Sequence, residues 1–318
     1  MFVGVSCALA AGLLWGLVFI APLLLPDYPG ILLSLGRYIA FGVIAIALAL
    51  PDWRRIRSLS RADWHQALAL ALIGNLVYYA ALASAIQLAG APLPAMLIGT
   101  LPVWIAIASN WRAVDGLRWR SLLPPLLLIL SGLVLVNVDE LRQLDDTRTV
   151  SHYVLGCALA LVALAAWTWY PIVNARHLQA RPELRSSTWA TAQGLATLPL
   201  ALLGLALYGG FRIWVPDGVS LPFGARPQWF IGAMLILGFG ASWLGTVLWN
   251  KASQRLPTAL AGQLIVFETL AALLYAFILR GKFPGNCTWF GVLLLCAGVA
   301  CSLQVFRRRQ RVPAHTAG

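Results

Sequence analysis

QALALALIGNLVYYAALASAIQLA, residues 66–89, contains no charged side chain. At 1.5 Å per residue such a helix reaches about 36 Å, enough to cross the ~30 Å hydrocarbon core of a bilayer. The run ends in Ala85-Ile86-Gln87, and Pro102 follows seventeen residues after Ala85. A second apolar run ends in Ala252-Ser253-Gln254, and Thr269 stands seventeen residues after Ala252. Working outward, apolar runs near 2–22, 30–50, 66–89, 92–110, 121–138, 153–175, 187–208, 229–250, 257–280 and 286–306 give ten spans. The second five match the first five in order. Gly4 and Trp15 in span 1 stand eleven apart, as do Gly156 and Trp167 in span 6. Gly132 of span 5 matches Gly298 of span 10, and Arg37 of span 2 falls near Gln193 of span 7. Five is an odd number, so the two halves enter the membrane in opposite directions. The expected fold is all-α and integral to the membrane. It has ten transmembrane helices in two inverted five-helix repeats, residues 1–150 and 151–306, with a basic tail at 307–318.

Composition agrees. Hydrophobic residues make up 60% of the chain and charged residues 11%, too few to cover a soluble domain of this size. The formal net charge of +12 does not mark a nucleic-acid face, because the basic residues alternate by loop. Sixteen of the 23 follow even-numbered spans, among them Arg54, Arg112, Arg181, Lys251 and Arg307. Six lie in the opposite loops, and Arg37 lies within a span. Loops rich in Lys and Arg stay cytoplasmic, so both termini are expected in the cytoplasm and the stretch Asp139, Glu140, Asp145, Asp146 outside. The opening MFVGVSCALA lacks the basic segment of a secretory leader. The five cysteines have no spacing for zinc or iron–sulfur ligation and read as packing residues.

An inverted repeat suits transport, because two similar halves can exchange conformations around a midplane site. Gly4, Ala8, Gly12 and Gly16 recur every four residues on one face of span 1, where they allow close backbone approach and sliding. Gly238 with Ser242, and Ala241 with Gly245, form similar faces on span 8. Of the 14 tryptophans, several lie at span ends, where indole rings mark the headgroup region. Trp15, Trp104, Trp167, Trp169 and Trp243 lie deeper, with Tyr78, Tyr79 and Tyr170. Buried indole and phenol groups need polar partners, and a shared cavity that stacks on a substrate would supply them. Glu268 lies about ten residues, or ~15 Å, from the nearer end of span 9. An ionised carboxylate at that depth costs at least ~2.5 kcal/mol, so it faces a cavity, pairs, or carries a proton. Thr100, Asn75, Gln193 and Gln263 add neutral hydrogen-bonding capacity. Pro102 frees the carbonyl of Ile98, which either lines the cavity or marks a hinge. The candidate substrate-binding residues are Trp15, Tyr78, Tyr79, Thr100, Trp167, Trp169, Gln263 and Glu268. Gly12, Gly16, Arg37, Pro102 and Gly245 are candidate gate or hinge positions.

Trp15-Gly16, the short turn Leu88-Ala89-Gly90-Ala91, Pro102, and Phe267-Glu268-Thr269 followed by an apolar run and Gly281 resemble the drug/metabolite transporter superfamily with paired EamA-type repeats. Two positions depart from it: Thr269 stands where the family has proline, and Lys282 where it has an acid. Within the superfamily, residues 88–104 and the tryptophan-rich span 6 are similar to the YddG-type aromatic amino-acid exporters. The resemblance implies a ten-helix basket, with spans 1–4 and 6–9 around a cavity and spans 5 and 10 outside. It also implies amino-acid efflux across an inner membrane, with amino acids and the bilayer as partners.

The residues carry no phosphate-binding loop, no helical metal motif and no ATP-binding domain, so no cofactor, metal or catalytic residue is expected. A nucleotide-sugar or phosphate-ester exchanger would need several cavity cations, and only Arg37 and Lys251 are candidates. A membrane-embedded enzyme or a lipid scramblase would need a nucleophile–base pair or a polar lateral groove.

Overall fold

The computed structural model describes residues 1–90, 92–111, 119–141, 150–214, 224–281 and 285–311, without the side chains of 92, 109–111, 119, 137–141, 214, 280 and 306–311. The loop residues Arg112, Arg118, Asp145, Asp146 and Lys282 and the side chains of the basic tail therefore lie outside the described residues. Among the described residues ten apolar helices carry the fold. They are α1 (Phe2–Leu24), α2 (Gly30–Ala49), α3 (Arg61–Ala89), α4 in two pieces (Pro92–Gly99 and Leu101–Trp111), α5 (Trp119–Leu141), α6 (Val150–Ala180), α7 (Ser186–Trp214), α8 (Pro227–Ser253), α9 in two pieces (Thr258–Leu264 and Val266–Arg280) and α10 (Asn286–Arg311). Eight of the ten are long and apolar enough to cross a membrane whole, and two, α4 and α5, have shorter apolar stretches. A short helix, Trp53–Arg57, lies between α2 and α3. No strand occurs among the described residues. The helix α10 runs on to Arg311, so the segment read as a tail from 307 begins as a continuation of the last span.

The packing repeats itself. Helix α2 packs on α7 and α5 on α10, each pairing equivalent helices of the two halves. Helix α3 packs on α6, and its counterpart α8 packs on α1. Helix α4 packs on α6 and α9, and α9 packs on α1 and α4. The pair α5 and α10 joins the rest mainly along α4 and α9, which leaves the other eight helices to surround the centre. Apolar side chains such as Val43, Leu127, Leu161, Leu203 and Leu293 are exposed on the outer faces, as hydrocarbon surroundings require.

Local chemistry explains the repeated sequence signals. The Gln87 amide donates to the Tyr28 carbonyl at 2.7 Å and accepts the Gly30 N–H at 2.9 Å. Gln254 does the same one repeat later, donating to the Leu184 carbonyl at 2.7 Å and accepting the Ser186 hydroxyl at 2.9 Å. Each glutamine thus ties the end of its helix to the turn that starts α2 or α7. Seventeen residues before each glutamine a π-helical segment begins, Leu70–Val77 in α3 and Leu237–Leu244 in α8. The wider winding leaves backbone acceptors open, and the Leu76 carbonyl takes the Ser34 hydroxyl at 3.1 Å while the Ala241 carbonyl takes the Trp15 indole at 2.9 Å. Gly90 ends α3 at φ 85°, a conformation that a side chain would strain.

Candidate substrate site at the repeat interface

Trp15 and Trp167, the tryptophans at matching places in α1 and α6, meet edge to face with ring centroids 5.1 Å apart. The small faces of the helices make this possible. A Cβ on Gly245 would lie 2.8 Å from the Trp15 indole nitrogen, and one on Gly74 would lie 2.1 Å from the Tyr170 ring. Trp167 is stacked between Tyr78 (4.4 Å, 12°) and Tyr170 (5.0 Å, 14°). Trp249 leans on the other side of Trp15 at 5.2 Å. All five rings are buried.

Glu268 borders this aromatic cluster. Helix α9 breaks at Ile265, so Glu268 falls in the first turn of the second half-helix. The partial positive charge of a helix N-terminus favours a carboxylate there. Gly12 brings α1 against this turn, where an added Cβ would sit 3.1 Å from the Glu268 backbone nitrogen; Gly16 is tighter, 2.7 Å from the Ala271 Cβ. The carboxyl is 1% exposed, and neither of its oxygens has a hydrogen-bond partner. The Trp167 indole approaches the carboxyl outside good hydrogen-bond geometry, and the Arg37 guanidinium acts on it without closing an ion pair. Gln263, on the other side of the break, is fully buried with both amide atoms unpartnered. The Tyr78 hydroxyl and the Trp167 and Trp249 indole nitrogens are unpartnered as well. Buried polar groups are nearly always hydrogen-bonded, so this cluster of unpartnered groups is the candidate substrate site.

The remaining candidates divide. Tyr79 reaches the site through Arg37, whose guanidinium lies 4.5 Å from its ring, while its hydroxyl donates to the Val18 carbonyl at 3.1 Å. Thr100 sits at the break in α4, and its hydroxyl donates to the Leu97 carbonyl at 2.6 Å. Pro102 follows as the second residue of the next half-helix, where a missing N–H costs no hydrogen bond. Trp169 points away from Trp167 and lines, with Trp104, Leu161, Thr168, Val173 and Arg176, a lateral groove of about 780 Å³ between α4 and α6.

Side-chain contacts lie at both ends beyond the site. At the end carrying the termini, the Asn174 amide donates to Asn250 at 2.9 Å and accepts the Trp189 indole at 2.8 Å. Arg181 there pairs with Asp63 at 2.8 Å. At the other end Tyr28 stacks on Phe230 at 4.7 Å, and Arg226 pairs with Asp27 at 2.7 Å.

The model of the EamA-like transporter family matches residues 2–138 and again 154–304. The chain belongs to the EamA-like transporter family. This EamA-like transporter is 47% identical over 309 residues to the inner membrane protein YtfF of Escherichia coli, covering 96% of each chain. It is 24% identical over 280 residues to the uncharacterized transporter sll1164 of Synechocystis sp., covering 85% of this chain and 74% of that one. A solved structure described only as "Crystal structure of protein" superposes with a TM-score of 0.73 at 19% identity, over 97% of this chain and 99% of that one, which shows the fold alone. The family match covers both repeats, so the chain is a membrane transporter with two EamA repeats.

Sequence reasoning missed Trp249, a central ring of this transporter, and Trp189, which anchors the contacts near the termini. Trp249 stands at the edge of the predicted span 229–250, where the sequence alone gives it no role. Its spacing of four from Gly245 is the signal that places it on the Trp15 face.

Proposed function

We propose that this EamA-like transporter exports amino acids with aromatic or bulky apolar side chains across an inner membrane by alternating access. One observation carries the reading: the buried stack Tyr78–Trp167–Tyr170 ends beside a carboxyl, Glu268, that has no partner and sits at a half-helix N-terminus. The rings offer faces for an apolar or aromatic side chain, and the carboxylate offers an acceptor for an ammonium group. A phosphate ester would need several cations here, and the described residues place only Arg37 beside Glu268. The inner-membrane location rests on the name of the Escherichia coli relative, and export rests on the resemblance to aromatic amino-acid exporters. The contacts at the two ends are the gates that such a cycle would open in turn.

The test is flux in proteoliposomes of purified protein supplied with labelled tryptophan, a UDP-sugar or a fluorescent lipid. Tryptophan alone should move. Transport of the UDP-sugar or lipid, with tryptophan immobile, would end the reading. Trp167→Ala and Tyr78→Ala should slow tryptophan more than threonine, because stacking contributes about 1 kcal/mol beyond burial. Single cysteines at Asp146 and Arg309 in a cysteine-free variant test orientation. Labelling by an impermeant reagent in whole cells is expected at 146, and labelling at 309 alone would reverse the assignment.

A further inference from the structure

The chemistry of Arg37 goes one step beyond this reading and rests on it. Arg37 is 4% exposed in the middle of α2. Its Nε donates to the Ser242 hydroxyl at 2.9 Å, across the interface to the π-helical segment of α8. Its guanidinium carbon lies 4.5 Å from the Tyr79 ring and 4.9 Å from the Tyr38 ring. These three neighbours fix the plane of the guanidinium and compensate part of its desolvation. They do not neutralise it. Nη1 is buried without a hydrogen-bond partner.

The one acid beside it leaves the charge open too. Arg37 and Glu268 act on each other electrostatically, and both act on the Tyr78 hydroxyl, yet they form no ion pair. A fold that used these charges only for cohesion would close them into a direct pair, since a buried unpaired charge is costly. The second repeat supplies the comparison. Gln193 stands at the place in α7 that Arg37 holds in α2, and it is tied into the framework. Its amide oxygen accepts the Tyr170 hydroxyl at 2.9 Å, and its amide nitrogen donates to Asn174 at 3.4 Å. The position can thus serve as scaffold with a neutral side chain whose amide oxygen and nitrogen are both engaged.

We propose that Arg37 binds the carboxylate of the substrate while Glu268 binds its ammonium group, so that the site selects molecules carrying both charged groups on one carbon and rejects amines and acids with only one. The guest completes the ion pair that the protein leaves open. The side chain of the guest then falls on the Tyr78–Trp167–Tyr170 stack. An amine that lacks the carboxylate would strand the arginine, and a site built to pair a charged group discriminates strongly against a ligand that lacks it.

The test is binding and liposome flux of three matched ligands: tryptophan, tryptamine and indole-3-propionate. In the parent protein tryptophan should bind at least roughly tenfold more tightly than either single-charge analogue. In Arg37→Gln, tryptophan should lose roughly tenfold or more, while tryptamine changes by less than about threefold. Equal treatment of tryptophan and tryptamine by the parent overturns the proposal, and so does an equal loss of both in Arg37→Gln. The parent ligand series stands by itself if the variant does not fold. The same series with leucine, isoamylamine and 4-methylpentanoate separates the two readings. Leucine bound through both charges while tryptophan is refused would sustain Arg37 and overturn only the aromatic preference. Failure of both amino acids overturns both.

Discussion

The two repeats share a scaffold and differ at the site. The scaffold features recur pair by pair: Gln87 and Gln254 clamp equivalent turns, the π-helical segments occupy equivalent places, and Trp15 faces Trp167. The site features do not recur. Glu268 of the second repeat corresponds to Leu101 of the first, Arg37 to Gln193, and Tyr78 to Gly245. Even the matched tryptophans differ, since the Trp15 indole donates to the Ala241 carbonyl whereas the Trp167 indole has no partner. The difference teaches that duplication fixes how helices pack, while divergence between the copies gathers the unpartnered polar groups of the candidate site.

The largest effect should come from the most asymmetric position. Glu268→Gln is expected to weaken tryptophan binding to purified protein by roughly 100-fold, because truncating a buried charged partner costs about 2–5 kcal/mol. Its counterpart Leu101→Met should change binding by less than about threefold, since a volume-conserving apolar swap is mild. Similar losses at both positions would remove the polarity from the comparison. A pH-gradient dependence that vanishes in Glu268→Gln while substrate exchange persists would instead assign the carboxyl to proton movement.

Packing comes next. Gly16→Val places new atoms against the α9 backbone and is expected to cost about 1–3 kcal/mol in unfolding or the equivalent fall in Tm. Gly232→Ala, where a Cβ meets nothing within 4 Å, should be neutral or slightly stabilising. The paired clamps test the symmetry directly. Gln87→Ala and Gln254→Ala each remove two hydrogen bonds and should lower thermal stability by similar amounts, on the order of 1–3 kcal/mol. A large inequality would mean that one half carries the fold.

The smallest effect separates scaffold from site within one matched pair. Trp15→Phe leaves the Ala241 carbonyl unpaired and should cost about 1 kcal/mol of stability. Trp167→Phe loses no hydrogen bond and should leave stability nearly unchanged while slowing tryptophan transport. The reverse pattern would exchange their roles.

The helix count, the inverted duplication and the depth of Glu268 were all legible in the sequence, because hydrophobic length and periodic small residues act locally along a span. The Ala85-Ile86-Gln87 and Ala252-Ser253-Gln254 repeats were visible as letters, and the structure supplies their reason in the two clamps. Which aromatic faces the centre was not legible. Trp167 and Trp169 lie two residues apart at the same depth, yet one stacks between Tyr78 and Tyr170 while the other lines the lateral groove between α4 and α6. Helix rotation decides this, and rotation is set by Gly74, Gly156 and Gly245 letting neighbouring backbones and rings approach. The break at Ile265 was hidden as well, because Thr269 replaces the proline that would announce it. The sequence by itself determined how many times the chain crosses and which charges lie deep. Only the tertiary structure decided which polar atoms stay unpaired, since a hydrogen bond between helices far apart in the chain depends on rotations and breaks that no single span records.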